Sequence, residues 1–317
     1  MSRIITLDEI KEILPELDLI PMIEQGFVAY SEQRCVVPPV GELTFEHPPA
    51  DVHIKYGYIK DDDFYIVKIA SGFYDNPKRG LPSSNGLMLL FSALSGELIA
   101  TLLDEGHLTD VRTGIAGAIA AKHLAPKVVE SIGLVGTGTQ ARMQLRYLAP
   151  LIDCRRLQVM GRTSGSVDSF REYAQMLDFD VAVASSGDEI LSTSNLVVTT
   201  TPSTKPLLNL EHYKGNGVHI TAVGSDTAQK QELTERSLLR ADLLVADSCS
   251  QCLGRGEIHH AIEAGLIAPK NLLELGHIVN GDSAGRQNDG QISICDLTGV
   301  AVQDIQIAKA VYAATLA

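Results

Sequence analysis

One glycine-rich turn constrains the fold of this chain more than any other segment: Gly136-Thr137-Gly138-Thr139-Gln140. Residues 130–135 precede it as a short, mostly apolar run typical of a buried strand, and residues 143–148 follow it with helical spacing. A second strand pattern, residues 157–160, comes about 20 residues beyond the glycines, where a dinucleotide fold recognises the ribose. Glycines let the backbone approach a pyrophosphate, and the helix N-terminus supplies N–H donors. We therefore favour a dinucleotide site over the alternative of a tight turn without a ligand.

The residue that closes the second strand bears on which dinucleotide binds. An acid at this place accepts hydrogen bonds from the ribose hydroxyls and favours NAD(H), but this chain reads Gly161-Arg162-Thr163. The Arg162 guanidinium, with the Thr163 hydroxyl beside it, offers a partner for a 2′-phosphate. The alternatives are that Arg162 stacks on the adenine or faces water. We predict a preference for NADP(H), with NAD(H) as the second choice. The predicted cofactor-binding residues are Gly136, Thr137, Gly138, Thr139, Gln140, Arg162, Thr163, Thr200, Val223 and Lys230.

Composition and charge limit the class of protein. The 317 residues suit two domains, and 45% hydrophobic with 21% charged residues are typical of a soluble enzyme, for which we predict a cytoplasmic location. A net charge of −13 argues against nucleic acid and anionic membranes as partners, because both need basic surface. No run approaches the roughly 18 apolar residues of a membrane span, and the N-terminus has no apolar signal core. One CxxC pair, Cys249 and Cys252, lacks a second ligand pair, so we predict reduced thiols and no metal site.

The order of the patterns predicts two kinds of sheet. After a capping box at Thr6 and Glu9 and a helix at 17–33, consecutive strands indicate an antiparallel sheet: 52–59, 64–70, 87–91 and 98–103. A small-residue helix, 108–124, leads into alternating strands and helices, which indicate a parallel sheet covered on both faces. An amphipathic helix, 299–316, follows. The predicted class is α/β, a Rossmann-type doubly wound parallel sheet with a smaller α+β domain.

Two lysines lie in strand patterns where a charge is unusual. Lys68 sits in an apolar run and shares a face with Phe64 and Ile66 by alternation, so it must reach solvent, pair with an acid or serve a site. Lys55 occupies a comparable place in residues 53–57. The alternative for both is an edge-strand lysine that prevents aggregation, an interpretation that is stronger for Lys55 than for Lys68.

Arg112 is a candidate for binding a carboxylate. It stands at the start of a helix of small residues, where a guanidinium can hold a carboxylate by two parallel hydrogen bonds. The alternative is an internal ion pair with Asp104, Glu105 or Asp110.

Asp226 is a candidate for handling a proton. It follows the strand predicted near 217–223, at the edge where open α/β sheets place their ligands. Its carboxylate could accept a hydrogen bond from a substrate nitrogen and pass a proton. The alternative is that Asp226 caps a helix running through Glu232 and Leu233. Lys230, four residues on, could tune Asp226 or simply pair with Glu232.

Together these residues resemble the ornithine cyclodeaminase/mu-crystallin family over nearly the whole chain. The matching blocks, in order, are Lys68, 108–113, 136–140, 222–226, 230–233, 285–286 and 291–293. The resemblance implies a homodimer, with a substrate-binding and dimerisation domain at 1–112 plus 299–317 and a dinucleotide-binding Rossmann domain at 113–298. It also implies that Lys68 and Arg112 bind a substrate carboxylate and that Asp226, with Lys68, is catalytic.

Two departures from the cyclodeaminase pattern favour a reductase. Residues 37–42 contain no basic side chain where many members carry a further carboxylate-binding arginine, a role that Lys55 would take. The acid after the second strand is replaced by Gly161-Arg162-Thr163. We predict an NAD(P)H-dependent reductase of cyclic imino acids, Δ1-pyrroline-2-carboxylate or Δ1-piperideine-2-carboxylate, that yields L-proline or L-pipecolate. The alternatives are ornithine cyclodeaminase, another small amino-acid dehydrogenase, and a non-catalytic crystallin-like NADP(H)-binding protein.

Overall fold

A computed structural model describes residues 2–316 of the chain. The chain divides into two compact units, one made of Met1–Arg112 with Val300–Ala317 and the other of Thr113–Gly299. The first unit contains a mainly antiparallel sheet and the second a parallel sheet. The predicted α/β class with a doubly wound parallel sheet is confirmed.

The strands and helices are numbered in chain order. The strands are β1 (Arg3–Thr6), β2 (Cys35–Val36), β3 (Gly41–Phe45), β4 (Ala50–Ile59), β5 (Phe64–Phe73), β6 (Ser84–Ser92), β7 (Leu98–Leu103), β8 (Ile132–Val135), β9 (Arg156–Met160), β10 (Asp180–Val183), β11 (Leu196–Thr199), β12 (Val218–Ala222), β13 (Leu243–Ala246), β14 (Leu273–Glu274) and β15 (Ile292–Asp296). The helices are α1 (Leu7–Ile13), α2 (Leu19–Ser31), α3 (His107–Leu124), α4 (Thr139–Leu148), α5 (Ser164–Gln175), α6 (Gly187–Thr193), α7 (Gly256–Glu263), α8 (Leu275–Val279) and α9 (Ala301–Ala314).

The sheet of the first unit has the strand order β1-β7-β6-β5-β4-β2, and β3 also pairs with β4. Strands β4 to β7 form an antiparallel meander, as predicted, and β1 adds to β7 in parallel. Helix α9 contacts α2 and the strands β4, β5 and β6. Alternation along β5 turns Ile66 and Lys68 to the same buried face. The sheet therefore places the ammonium group of Lys68 inside the unit.

The second unit is built on an eight-stranded sheet with the order β10-β9-β8-β11-β12-β15-β13-β14, in which each pair is parallel. Strands β8, β11, β12, β13 and β15 are buried along their whole length, as expected for a sheet covered on both faces. From β8 the chain moves outward to β9 and β10, and it then returns to the other side of β8 at β11. The strand order thus reverses between β8 and β11, which is where doubly wound folds bind ligands.

The predicted capping box of α1 is confirmed. The Thr6 hydroxyl accepts the Glu9 N–H at 3.4 Å, and the Thr6 N–H donates to the Glu9 carboxylate at 2.8 Å. The strands β1, β2, β3 and β14 were not predicted, because they are exposed or half-buried along most of their length, unlike the buried strands of similar length such as β8. The helices α6, α7 and α8 were not predicted, because five to eight residues carry too little periodicity.

The last helix differs from its prediction as an amphipathic helix. Residues 301–308 of α9 are all buried. Eight consecutive residues cover every side of a helix, so α9 is a core helix rather than a surface one. Asp304, in the middle of this buried run, therefore needs a buried partner.

The helix expected after Asp226 does not form. The N–H groups of Glu232 and Leu233 donate instead to the Glu257 carboxylate, at 2.7 and 3.0 Å. Leu233 also forms an isolated parallel bridge with Leu208. N–H groups that donate to the Glu257 carboxylate cannot make helical bonds, so the interpretation of Asp226 as the cap of this helix is wrong.

Candidate active site

Two predicted substrate-binding residues, Lys68 and Arg112, converge on one carboxylate in the first unit. The Lys68 ammonium nitrogen lies 3.2 Å from Asp304 Oδ2, and Arg112 Nε lies 2.9 Å from Asp304 Oδ1. The side chains are 2% (Lys68), 6% (Arg112) and 0% (Asp304) exposed. Arg112 Nη1 also donates to Gln303 Oε1 at 3.0 Å. We refer to Lys68, Arg112 and Asp304 as the basic cluster.

Burial and charge act in opposite directions on the basic cluster. Burial lowers the pKa of Lys68 to about 8, against the favourable Asp304 charge, and the Arg112 charge adds to the decrease. For Asp304, burial acts to raise the pKa, but the charges of Lys68, Arg112 and Lys55 outweigh it and hold the pKa below its ordinary value. The cluster thus contains a firmly ionised acid and a lysine that loses its proton at mildly alkaline pH.

Lys55 lies on the strand next to Lys68 and belongs to the same face. It is paired with Lys68 across β4 and β5, and it is 6% exposed. Lys68 has a paired strand on each side, whereas the outer pairing of β4 stops at Ile54 and resumes at Tyr58, so it does not reach Lys55. Both lysines are buried, and a buried side chain cannot protect an exposed sheet edge, so the edge-strand interpretation is wrong for both. Cross-strand neighbours lie about 5 Å apart at Cβ, which brings the two positive charges close together.

Asp304 is the member of the cluster that the sequence reasoning missed. It lies 236 residues from Lys68, and no local pattern links the two. The available signal was a lone acid within a run of small and apolar residues in the last helix.

In the second unit, the glycine turn connects β8 to α4 at the point where the strand order reverses. Gly136 has a φ of +114°, and a Cβ there would clash with the Thr200 hydroxyl. Gly138 precedes α4 without a side-chain cap, and a Cβ there would meet nothing within 4 Å. The first N–H groups of a ten-residue helix thus lie beside open space, which fits a bound phosphate.

The other predicted cofactor residues of this edge follow β11 and β12. The Thr200 hydroxyl donates to Val135 O at 3.1 Å, and the Val223 N–H donates to Thr199 O at 3.0 Å. The first bond links the residue after β11 to the end of β8, and the second links the residue after β12 to the end of β11. The glycine turn therefore lies with Thr200 and Val223 along one edge of the parallel sheet, the edge at which the carboxyl ends of the strands meet.

Arg162 and Thr163 follow β9, the next strand from the glycine turn. A Cβ on Gly161 would lie 2.8 Å from Thr137 Cγ2, so the glycine turn and the end of β9 pack closely. Arg162 is exposed. Thr163 caps α5, with its hydroxyl accepting the Ser166 N–H at 3.4 Å and contacting the Ser166 hydroxyl at 2.9 Å. The Thr163 hydroxyl is thus used to cap α5. Of the two residues, Arg162 is therefore the stronger candidate for binding the 2′-phosphate of a dinucleotide.

Asp226 and Lys230 form an ion pair at the same edge of the sheet, with the Lys230 ammonium 2.6 Å from Asp226 Oδ1. The Asp226 side chain is 39% exposed and the Lys230 side chain 15%. Arg255 donates to the Asp226 backbone carbonyl at 3.2 Å, which fixes the loop. Lys230 contacts Asp226 directly, so its position supports the tuning role considered for it.

Within residues 2–316, no group of three or more His, Cys, Asp or Glu side chains is arranged to hold a metal ion. Cys249 and Cys252 are free thiols, and burial is the main cause of the raised pKa of each. None of the described helices combines the length and the apolar character that a membrane span requires.

Comparison with known proteins identifies the family. The profile of the ornithine cyclodeaminase/mu-crystallin family matches residues 2–317. The chain belongs to the ornithine cyclodeaminase/mu-crystallin family. Among relatives of this family, an uncharacterised cyclodeaminase of Sinorhizobium fredii is 41% identical over 96% of this chain and 93% of its own. A putative dehydrogenase of Rhizobium meliloti is 37% identical over 98% and 95%.

Three solved structures of the family match 99% of the chain. An archaeal alanine dehydrogenase dimer with bound NAD has a TM-score of 0.90 at 30% identity, over 96% of that chain. The Δ1-pyrroline-2-carboxylate reductase of Thermococcus litoralis, with NADH and L-proline, has 0.92 at 25% identity, over 98%. The iminosuccinate reductase of Paracoccus denitrificans, with NAD+, has 0.90 at 30%, over 96%. The prediction of an oxidoreductase is confirmed at this level, because these family members are dehydrogenases and reductases.

Proposed function

We propose that this chain is an NADPH-preferring reductase of cyclic imino acids, with Δ1-pyrroline-2-carboxylate or Δ1-piperideine-2-carboxylate as substrate and L-proline or L-pipecolate as product. One observation carries the proposal: two buried cations, Lys68 and Arg112, face a single buried acid, Asp304. Asp104 also acts on Lys68, and burial raises the pKa of Asp104. The charge of Lys55, on the same face as Lys68, acts on Asp304 as well, so three cations stand against these two acids. A substrate carboxylate would provide the balancing negative charge.

The glycine turn fits a dinucleotide. The open space at Gly138 and the uncapped start of α4 suit a pyrophosphate, and exposed Arg162 suits a 2′-phosphate. When bound, the reduced nicotinamide supplies a hydride. The preference for NADPH rests on Arg162, and NADH is the alternative, since solved relatives contain NAD or NADH.

The chain's own residues bind the substrate and manage one proton. Lys68 and Arg112 hold the carboxylate, which fixes the face of the C=N bond. Asp226 holds the proton on the imine nitrogen, and a protonated imine carbon accepts a hydride more readily. Lys230, 2.6 Å from Asp226, favours its ionised form, which suits an acceptor for the N–H of the substrate.

The activity test compares reduction with ammonia release. Purified protein is mixed with Δ1-pyrroline-2-carboxylate and NADPH or NADH, and the absorbance of the reduced nicotinamide is followed, while L-ornithine with NAD+ is assayed for ammonia. We expect faster oxidation of NADPH than of NADH and no ammonia. Release of ammonia from L-ornithine, without oxidation of NADPH or NADH, would identify the protein as a cyclodeaminase instead of a reductase. Activity with alanine or another amino acid, and with no other substrate, would identify a dehydrogenase. Binding of NADPH without turnover of any substrate would indicate a non-catalytic, crystallin-like protein.

A second substrate class is favoured by Lys55. This buried lysine adds a positive charge on the same face as Lys68, and its charge acts on Asp304. A substrate with a second carboxylate, such as iminosuccinate, would use that charge. The same assay with iminosuccinate tests this class. Reduction of iminosuccinate by wild-type protein that is lost in Lys55→Met, with pyrroline-2-carboxylate reduction retained, would assign Lys55 to the second carboxylate.

We further propose a homodimer formed through the sheet of the first unit. Alternation places an apolar set on the face opposite Lys55 and Lys68: Ile4, Ile54, Tyr56, Tyr58, Tyr65, Val67, Ile69, Leu87, Leu89, Phe91 and Leu103. Tyr56 is 41% exposed and Ile69 36%. An exposed apolar patch of this extent is typical of an interface. A second copy of the chain is the proposed partner.

A further inference from the structure

Glu232 is a buried carboxylate that accepts four hydrogen bonds at the carboxyl edge of the parallel sheet. Its Oε2 accepts the Thr199 hydroxyl at 2.7 Å and the Gly224 N–H at 2.9 Å. Its Oε1 accepts the Thr201 N–H at 2.5 Å and the Thr201 hydroxyl at 2.7 Å. The side chain is 0% exposed. Both oxygens are thus committed to donors from the last residue of β11 and from the segments that follow two neighbouring strands, β11 and β12.

The backbone around Glu232 is held equally firmly. The N–H groups of Leu207 and Leu208 donate to Glu232 O at 2.7 and 3.0 Å, and the Glu257 carboxylate accepts the Glu232 N–H. Two residues earlier, Lys230 forms the ion pair with Asp226. Glu232 therefore ties the loop that contains Asp226 and Lys230 to the ends of β11 and β12.

These strand ends lie on the nicotinamide side of the proposed cofactor site. In a doubly wound fold the turn after the first strand holds the pyrophosphate, and the end of the next strand outward reads the adenine ribose. Here those places are the turn after β8 and Arg162 after β9. The other half of the dinucleotide then extends past the reversal in strand order, toward the residues that follow β11 and β12.

We propose that Glu232 is a positioning residue: its carboxylate sets the spacing between the segments after β11 and β12, and thereby places the nicotinamide half of the cofactor and the Asp226 loop. The inference rests on the proposed dinucleotide-dependent function. The spacing is tight, because a Cβ on Gly224 would clash with the Thr201 backbone and lie 2.6 Å from Glu232 Oε2.

Only a carboxylate satisfies this arrangement. Each oxygen of Glu232 faces one N–H and one hydroxyl, so an amide in its place would turn an NH2 group toward an N–H donor. Burial raises the pKa of Glu232 to about 7, although the hydrogen bonds from Thr199, Thr201 and Gly224 favour the ionised form. Glu232→Gln therefore keeps the size of the side chain and removes half of its accepting capacity.

The test separates the two halves of the cofactor by binding. Dissociation constants for ADP-ribose, which lacks the nicotinamide, and for NADH are measured by calorimetry on wild-type protein and Glu232→Gln. We expect the ADP-ribose constant to change less than about 2-fold and the NADH constant to rise roughly 10- to 100-fold, as for loss of a hydrogen bond to a charged group. Equal changes in both constants, or none, would overturn the proposal.

A second variant and a control keep the outcome clear. Thr199→Val removes one of the four donors without changing the shape of the side chain, and we expect the same selective loss with a smaller magnitude. Asp242→Asn alters a carboxylate that accepts the Ile292 N–H at 2.8 Å at the opposite edge of the sheet, and it should change neither constant. If Glu232→Gln does not fold, Thr199→Val decides. Because binding is measured, a failure of the proposed imino-acid reduction would not affect this result.

Discussion

The buried lysine of the basic cluster gives the proposed reaction a pH dependence. The pKa of Lys68 lies at about 8, so its ammonium is present at neutral pH and is lost as the pH rises through that value. A substrate carboxylate needs the charged form, so kcat/KM should fall above about pH 8 with one-proton character. A pH–rate profile with Δ1-pyrroline-2-carboxylate and NADPH measures this decrease, which forms the alkaline limb of the profile.

Asp304→Asn supplies the internal control for the pH profile. The Asp304 charge favours the protonated amine, so its removal should move the alkaline limb to lower pH. Ionisation of the imine substrate would give a limb that stays in place. A limb that is unaffected by Asp304→Asn would therefore contradict the assignment to Lys68.

Asp226→Asn tests the proton-handling role. The amide keeps the size of the side chain but cannot carry the negative charge that stabilises a protonated imine. We expect kcat to fall roughly 100-fold or more, as for loss of a general acid–base group, while the Kd for NADPH changes little. Stopped-flow turnover and fluorescence titration of NADPH measure the two quantities. Unchanged kcat would remove Asp226 from the chemistry.

Single residues were predictable from the sequence where their chemistry conflicts with the local pattern. Lys68 and Arg112 stood out against apolar and small-residue surroundings, and both contact the same acid in the structure. Asp304, the lone acid of the last helix, carried a signal of the same kind, but its partner Lys68 lies 236 residues away, so the sequence does not reveal the pair. Glu232 could not be found this way, because two of its four donors are backbone N–H groups.

At the scale of elements, the glycine turn makes a prediction that separates binding from folding. Gly138→Ala places a methyl group in open space, so stability should change by less than about 1 kcal/mol, the usual limit for an unstrained glycine replacement. The same methyl group would block the approach of a pyrophosphate to the backbone, and we expect the Kd for NADPH to rise at least 10-fold, or about 1.4 kcal/mol.

The matched control for this substitution is Gly254→Ala. A Cβ at Gly254 also meets nothing within 4 Å, and its φ is −120°. Its melting temperature and its Kd for NADPH should both resemble those of the wild type. Equal affinities in the two variants would mean that the glycine turn does not hold the cofactor.

Long, periodic elements were predicted from the sequence, and elements set by tertiary contacts were not. The strands of the meander and the strand–turn–helix around the glycines agree with prediction within a few residues. The segment after Asp226 has residues compatible with a helix, but Glu257 binds its N–H groups and holds it open. The burial of α9 on all sides follows from its packing against α2 and the meander, which its sequence alone does not reveal.

At the scale of the whole molecule, the apolar face of the first unit predicts the assembly. Wild-type protein should have the mass of a dimer in light scattering. Replacing Tyr56 and Ile69 together with lysine places two charges on this face and should give monomers at micromolar concentration. Leu94→Lys, at a turn position that is 96% exposed, should remain a dimer. Dimers of the double variant would show that another surface forms the contact.

The central claim is that a hydride passes from the cofactor to the imine carbon. It is tested most directly with NADPH that carries one deuterium at C4 of the nicotinamide. Two preparations are used in turn, one for each C4 epimer, because only one face of the ring transfers its hydride. After incubation with Δ1-pyrroline-2-carboxylate, the proline is analysed by mass spectrometry and NMR. The account predicts one deuterium at C2 of L-proline from one epimer and none from the other. Proline without deuterium from either epimer, or no proline at all, would contradict it.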